Sequence, residues 1–385
     1  MIGIRINKRD AEVVKGLLTK HGLFNNDYLV IKEGDFIVFP LKEGVNEFDK
    51  KLKDIMDAES VNYEIINTDF KRRKRFDFEE LLKQELGERL GDKVYLVRKS
   101  FDIVGDIAVL EIPRELEFVE KEIARIFLKT HPNVKTVLKK KGAHEGSFRI
   151  QKLELLAGED KKETIYVENK ARFKLNLGEV YFSPRLASER LRIAKLVRKD
   201  EKVLVMFSGY APYPITILKN SGENSKPKIV FGVELNPKAH EYALINKELN
   251  KIPDEKLVLL NGDVREVVPE LMKKYSIVKD GFDRIVMPLP KTGFLFLNTA
   301  FKAIKNEGII HYYMFLEEGE IPKKGFEVIQ EEAEKAGVKV EFLNHVVCGQ
   351  VGKRLYRVCF DFRVIKEGNK NSKSGEQWFN KNIYK

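Results

Sequence analysis

Two cysteines, Cys348 and Cys359, are all that 385 residues contain, too few for a disulfide framework or a cysteine-based metal site. Both stand in apolar, alternating stretches, which points to buried thiols in a reducing compartment. Long hydrophobic runs are missing too, none approaching the ~18 residues that would suggest a membrane span. The opening residues, MIGIRINKRD, lack the apolar segment of a signal peptide. A soluble, cytoplasmic protein is therefore expected. Six histidines are scattered, with no HxxxH pair and no clustered acids, so no metal site is expected. No internal repeat is visible.

What is present suits a folded chain of two or three domains, at roughly 150 residues each. Hydrophobic residues reach 43% and aromatics 10%, enough to bury sizeable cores and to exclude a disordered or collagen-like chain. Lys and Arg number 70 against 59 Asp and Glu, a net charge of +11. That surplus fits a polyanionic partner and equally a lysine-rich solvated surface.

Residues 1–68 read as a small α+β module. GIRIN is a strand, Arg9–His21 an amphipathic helix, and Tyr28–Lys32 with Phe36–Leu41 a hairpin turned at Glu33-Gly34-Asp35. A helix around Phe48–Met56 and a strand at Tyr63–Asn67 follow. Residues 69–92 open with five consecutive cations, Lys71, Arg72, Arg73, Lys74 and Arg75, which either touch phosphate or form a solvated linker; a short polar helix comes next. Residues 93–183 read as a second α+β domain. Its strands are expected on either side of a loop from Val94 to Pro113, then at Val134–Lys139 and Phe148–Ala157. A helix over Glu115–Lys129 and a strand pair, Thr164–Glu168 and Ala171–Asn176, complete it. Over 184–366 strands alternate with helices, at 202–206, 229–234, 256–260, 283–287, 308–315, 338–346 and 354–364. Such alternation builds an open, mostly parallel α/β sheet. The last two strands lack a helix between them and are expected as an antiparallel edge hairpin. Residues 367–385, polar and rich in Lys and Asn, read as a disordered tail.

The chemistry concentrates at four strand ends. The first strand runs into Phe207-Ser208-Gly209-Tyr210-Ala211-Pro212, a turn of small residues where such sheets bind nucleotides. It is not GxGxxG, which disfavours a pyrophosphate cradle and suits a ligand without phosphates, such as S-adenosylmethionine. The second ends in Glu234-Leu235, 25 residues after Gly209. A carboxylate there either accepts both ribose hydroxyl hydrogens or serves as a helix N-terminal charge. The third ends in Asp263-Val264, beside the expected adenine position. The fourth ends in Pro288-Leu289-Pro290-Lys291, a stiff loop rather than a phosphate nest.

Turn, acid, acid and proline loop in that order resemble a class I S-adenosylmethionine-dependent methyltransferase. The segments FDIVGDIAVLEIP, GSFRIQKLELLAGE, VYFSPRLASERLRIAKLV, FSGYAPYPI, VELNPKAHEYALINKELNK, NGDVREVV, MPLPKTG and GIIHYYMF narrow this. They resemble the archaeal and eukaryotic tRNA (guanine-37-N1)-methyltransferases over about residues 93–365, with a weaker match over 1–66. The resemblance implies a Rossmann-like methyltransferase sheet preceded by two smaller α+β domains. It also implies S-adenosylmethionine as cofactor and tRNA as partner, in a monomeric enzyme methylating N1 of the guanine 3′ of the anticodon.

That reaction needs a base for the N1 proton and a donor for the charge that builds on O6. The resemblance puts the base on Glu189, which begins a helix among Arg185, Arg190 and Arg192, and the O6 donor on Arg149. It places Tyr181 and Arg185 on the tRNA, Arg190 near the cofactor, and Pro288, Leu289 and Pro290 around the base. Further phosphate contacts are expected from Lys71–Arg75, Lys139, Lys140, Lys141 and Lys291. By the same resemblance the N-terminal module reaches the outer corner of the tRNA.

Two positions depart from the family. Val205 stands where many relatives have Asp, and Pro288 where many have Asn. Rival readings are a wyosine-pathway enzyme acting on the same nucleotide, by C7 methylation or aminocarboxypropyl transfer, and a non-catalytic tRNA-binding relative.

Overall fold

The computed structural model describes residues 1–46, 49–72, 77–97, 101–142, 150–222 and 225–366. Arg149, Arg73, Lys74, Arg75, Phe48 and the segment expected as a tail lie outside the described residues. The chain forms two compact units, Met1–Leu81 and Leu82–Lys385.

The first unit contains β1 (Ile2–Asn7), α1 (Ala11–Lys20), β2 (Ile31–Glu33), β3 (Phe36–Pro40), α2 (Lys50–Ala58) and β4 (Tyr63–Asn67). Its sheet has the order β2-β3-β1-β4 and is antiparallel throughout. Ile4 and Ile6, two apart on β1, reach the same core as Val14, Leu18, Leu52 and Met56 of the two helices. Asp49 starts α2 by accepting the Leu52 N–H at 3.0 Å.

The second unit opens with α3 (Phe78–Leu90), whose first residues belong to the unit before it. Then come β5 (Asp102–Val104), β6 (Ile107–Leu110), α4 (Glu120–Thr130), β7 (Thr136–Lys140) and β8 (Leu153–Gly158), a four-stranded sheet in the order β5-β6-β7-β8. Val94–Leu96, expected in a strand, lie instead in a 3₁₀ turn, Gly91–Leu96, and the strand expected from Phe148 begins at Leu153. A hairpin of β9 (Glu163–Glu168) and β10 (Ala171–Asn176) stands apart from that sheet. Asn246 and Asn250 fasten it by exchanging side-chain hydrogen bonds with the backbone of Lys174 and Arg172.

The remaining elements are α5 (Ala187–Leu196), β11 (Lys202–Met206), α6 (Pro212–Asn220), β12 (Ile229–Glu234), α7 (Pro237–Leu249), β13 (Leu257–Asn261), α8 (Val264–Lys274), β14 (Phe282–Met287), α9 (Leu297–Ala303), β15 (Ile304–Glu317), α10 (Lys323–Lys335), β16 (Val338–Gly352) and β17 (Leu355–Lys366). Their seven-stranded sheet has the order β13-β12-β11-β14-β15-β17-β16, with β17 antiparallel to both neighbours. Strands β11 and β12 are apolar on both faces, as parallel strands covered by helices must be. Val203, Val205 and Val230 pack with α5, α6 and α7 on one side. Leu204, Met206 and Phe231 pack with α8, α9 and α10 on the other. The sheet order reverses between β11 and β14, which opens a crevice at their carboxyl ends. Among the described residues no helix is long and apolar enough to cross a membrane.

Candidate active site

At the end of β11 the backbone is forced into an unusual shape. Phe207, Gly209 and Ala211 all adopt left-handed conformations, with φ of 60°, 58° and 67°. For Phe207 and Ala211 this is strain, which is maintained where surrounding structure over-determines it and which concentrates at ligand sites. The Ser208 N–H donates to the Val233 carbonyl at 2.9 Å, pulling the turn against β12. Gly232 permits this approach, since a Cβ there would stand 3.0 Å from Ser208 Oγ and 2.8 Å from Leu259. Pro212 then opens α6, its fixed φ and missing N–H suiting a first helical position. Tyr210 and Pro212 are buried behind the turn.

Glu234 ends β12 facing that turn. One carboxylate oxygen accepts the Gly209 N–H at 2.7 Å and the other the Asn236 N–H at 2.8 Å. Burial pushes its carboxyl above the usual range, and these backbone hydrogen bonds only partly offset the shift. A carboxylate has about four lone-pair sites, so two remain for a pair of vicinal hydroxyls. Leu235, beside it, is half exposed.

Asp263 caps α8, accepting the Arg265 N–H at 2.8 Å and pairing with its guanidinium at 2.6 Å. The Arg265 hydrogen bonds hold its carboxyl below the usual range. Val264 behind it is buried. After β14, Pro288 and Leu289 are partly exposed, Pro290 is buried and Lys291 is exposed. The Leu289 N–H closes a tight turn onto the Met287 carbonyl at 2.9 Å.

Glu189 is buried in the first turn of α5. Arg192, one helical turn on, grips it with Nε on one oxygen at 2.7 Å and Nη2 on the other at 2.8 Å, and the Tyr313 hydroxyl donates to Oε1. Of the three arginines expected around this carboxylate, only Arg192 touches it. Successive helical residues face about 100° apart, so Arg190 points elsewhere. It forms a buried bidentate pair with Glu168 at the end of β9 and donates to the Ser183 carbonyl at 3.2 Å. Arg185 is exposed and reaches Asp102 at 3.4 Å. The site is joined to the cofactor turn through Tyr213, two residues past Ala211, whose ring packs edge-on against Tyr313 at 6.1 Å.

The other expected contact residues are dispersed. The Tyr181 hydroxyl accepts from Arg357 at 3.0 Å. Lys139 is largely buried and salt-bridged to Glu120 at 2.6 Å. Lys140 lies 3.7 Å from Asp102, the same carboxylate that meets Arg185, while Lys141 is exposed. Lys71 and Arg72 are exposed in the first unit. Arg149 and Arg73 fall outside the described residues.

Sequence reasoning missed a buried polar cluster beneath Glu189. His311 Nδ1 lies 2.6 Å from Asp361 Oδ1, and Asp361 also accepts from Arg192 at 2.6 Å. Burial lowers the His311 pKa, its contact with Asp361 only partly opposing this. Burial alone would raise Asp361, but His311 and Arg192 hold its carboxyl far below the usual range. His311, Cys359 and Asp361 place donor atoms within 4.8 Å of one another. Two guanidinium groups flank them, however, Arg192 on Asp361 and Arg284 on His311, a field that repels a cation. The overlooked signal was a lone ionisable residue inside each of two apolar strands, IIHYYMF and VCFDFRV.

Three family models match: the TRM5/TYW2 methyltransferase domain over residues 164–341, a TYW2 N-terminal domain over 78–161 and a tRNA methyltransferase 5 N-terminal domain over 3–49. A protein of Pyrococcus abyssi named tRNA (guanine(37)-N(1))-methyltransferase Trm5b is 36% identical over 366 residues, 94% of this chain and 99% of that one. The chain belongs to the TRM5/TYW2 methyltransferase family. Within it, a Nanoarchaeum equitans protein named tRNA (guanine(37)-N(1))/4-demethylwyosine(37)-methyltransferase Taw22 is 34% identical over 308 residues, covering 69% of this chain and 100% of its own. A structure titled as the complex of aTrm5 and tRNALeu matches with a TM-score of 0.63 at 29% identity, covering 94% of this chain and 99% of that one.

TRM5/TYW2 enzymes use S-adenosylmethionine, and the residues here fit it: a strained small-residue turn, and a buried carboxylate with lone pairs left for the ribose. Glu234→Ala should weaken S-adenosylmethionine binding roughly 10- to 100-fold, the worth of hydrogen bonds to a charged group, read by calorimetric titration. Because its folded pKa is raised, wild-type affinity should also decline on acidification at a higher pH than an ordinary carboxylate would give.

Proposed function

We propose that this chain is a tRNA (guanine-37-N1)-methyltransferase, modifying N1 of the guanine 3′ of the anticodon with Glu189 as general base and Arg149 as donor to O6. The observation that carries this reading is the buried Glu189, fixed by Arg192 and Tyr313 and connected to the cofactor turn through Tyr213, in a chain similar along almost its whole length to Trm5b.

When bound, S-adenosylmethionine supplies an electrophilic methyl group on a sulfonium. The protein does the rest. Glu234 would hold the ribose, with Leu235, Asp263 and Phe207–Tyr210 as the residues lining the rest of the cofactor site. Guanine 37 must leave its stack to reach the site, which costs least in a single-stranded loop. Pro288, Leu289 and Pro290 form one side of its pocket. Glu189 removes the N1 proton, exposing a lone pair in the ring plane, while Arg149 meets the negative charge that moves onto O6. A guanidinium suits that task because it is always charged and planar.

Lys71–Arg75, Lys140, Lys141, Arg185 and Lys291 supply phosphate contacts and a salt-dependent affinity. The N-terminal module reads the outer corner of the tRNA. We read the enzyme as a cytoplasmic monomer. Edge strand β16 changes register at three places, Phe342/Asn344, Val347/Gly349 and Gln350/Gly352, which makes it a poor template for a second chain.

The test is nucleoside mass analysis of unmodified tRNA incubated with protein and S-adenosylmethionine. The expected product is 1-methylguanosine, absent from an A37 control; a bulkier adduct alone, or none, would sink the reading. In the same assay Arg149→Ala should slow single-turnover methylation ~10²-fold, the loss expected for one donor to a developing oxyanion, with little change in tRNA affinity. The similarity to the Nanoarchaeum equitans Taw22 protein favours a second activity, as does Pro288, which the family resemblance sets where many relatives have Asn. A tRNA carrying 4-demethylwyosine should then also gain a methyl group.

A further inference from the structure

A continuous line of buried and partly buried polar groups runs from Glu189 across three strands of the sheet. Arg192 is its pivot, with Nε and Nη2 on Glu189 and Nη1 and Nη2 on Asp361 of β17. Asp361 is in turn fixed by His311 of β15, 2.6 Å away. The far ring nitrogen of His311 lies 2.6 Å from Arg284 Nη1. A guanidinium can only donate, so Nε2 accepts, the ring is neutral, and Nδ1–H donates to Asp361. Arg284 is anchored by Glu201 at 2.7 Å and by the Leu196 carbonyl at 2.8 Å. The charges alternate along the line, and every polar group has a partner.

We propose that Asp361 and Tyr313 are positioning residues that set the orientation and proton affinity of the Glu189 carboxylate, Asp361 acting through Arg192. This rests on Glu189 being the base. A carboxylate that held the Arg192 guanidinium alone would be a poor proton acceptor, because an adjacent positive charge favours its ionised form. Asp361 divides that charge, accepting from Nη1 at 2.6 Å, and fixes the guanidinium in the plane that Glu189 must share. Tyr313 works in the opposite sense, its hydroxyl donating to Glu189 and favouring the ionised form.

The other titratable groups facing this region do not compete. Tyr213 on α6 and Tyr313 on β15 are kept protonated by burial. So are Cys359 on β17 and Cys348 on β16, the latter pushed up to about 12. Arg190 on α5 is taken by Glu168. Among the described residues the charges left to bias Glu189 are Arg192, Asp361 and, beyond the neutral His311, Arg284.

The experiment is the pH dependence of single-turnover methylation, with enzyme in excess over unmodified tRNA. Asp361→Asn should lower the plateau about tenfold, as a weaker base does, and move the acid limb roughly one pH unit lower. Tyr313→Phe, which keeps the ring and removes the donor, should move the limb to higher pH. Dissociation constants for tRNA and S-adenosylmethionine should stay within about threefold of wild type in both, since neither residue touches a ligand. Acid limbs coinciding with wild type, or shifting in the same direction, would overturn the inference; a merely structural role gives no opposite-signed pair. If Asp361→Asn does not fold, judged by thermal unfolding, the direction of the Tyr313→Phe shift decides. Glu189→Gln separates the two layers: wild-type turnover there removes the base itself, whereas an inactive Glu189→Gln with unmoved limbs in the other two removes only the positioning roles.

Discussion

Glu189→Gln should slow methyl transfer by ~10²–10⁴-fold, the range for removing a positioned base, while tRNA and cofactor dissociation constants change little. The substitution preserves shape and takes away the site that receives the N1 proton. Gln must also turn an amide NH₂ toward Arg192, which donates to both oxygens of the carboxylate. One hydrogen bond is therefore lost in a buried place, at about 1–3 kcal/mol of stability. Rate and stability should thus part company: a small fall in unfolding temperature beside a very large fall in rate. Rapid-quench single-turnover kinetics, with binding measured separately, check this. Equal rates for wild type and Glu189→Gln across pH 6–9, roughly the range in which such a base works, would falsify the assignment.

The second large effect concerns stability. Arg190 and Glu168 form a bidentate pair whose side chains are only 2% and 4% exposed. Breaking one partner of such a pair leaves a charge buried without a counter-ion, which costs about 3–5 kcal/mol. Arg190→Ala and Glu168→Gln should each lower the unfolding midpoint by roughly 5 °C at this chain length. The double variant, with neither charge left, should lose less than the sum of the two. Arg190 also holds the Ser183 carbonyl, so Arg190→Ala frees the segment leading from Tyr181 into α5. Activity measured well below the midpoint should fall as well, because that segment feeds directly into Glu189. Purely additive losses would place the stabilisation somewhere other than the pair.

The methyltransferase sheet was legible because its strands are short apolar runs closed by turn residues. The hairpin at its edge was legible from two strands with no helix between them. Glu234 could be found because its position relative to Gly209 follows from the geometry of a strand–helix–strand unit. Partner choice around Glu189 was not legible. Arg185, Arg190 and Arg192 look equivalent in the sequence, yet helical rotation sends them to Asp102, Glu168 and Glu189. Glu168 lies 22 residues upstream of Arg190, and Asp361 lies 169 residues beyond Arg192. Only the pairing of β15 with β17, which sets His311 opposite Asp361, brings the last of these near the base. Within the lysine cluster the pairing of Lys139 was equally illegible: it belongs to a strand, where neighbours alternate faces, and its ammonium is held by Glu120.

The order of strands has a consequence for synthesis. Among the described residues β17 follows every other strand, yet it lies between β15 and β16 in the sheet. On a ribosome, where domains fold from the N-terminus as they emerge, the upstream module and the hairpin can consolidate early. The sheet cannot close until its final strand has entered between two made before it. Asp361 arrives on that strand, so Arg192 gains its second carboxylate only when β17 enters the sheet. Closure of the sheet and completion of the clamp are therefore one event in folding.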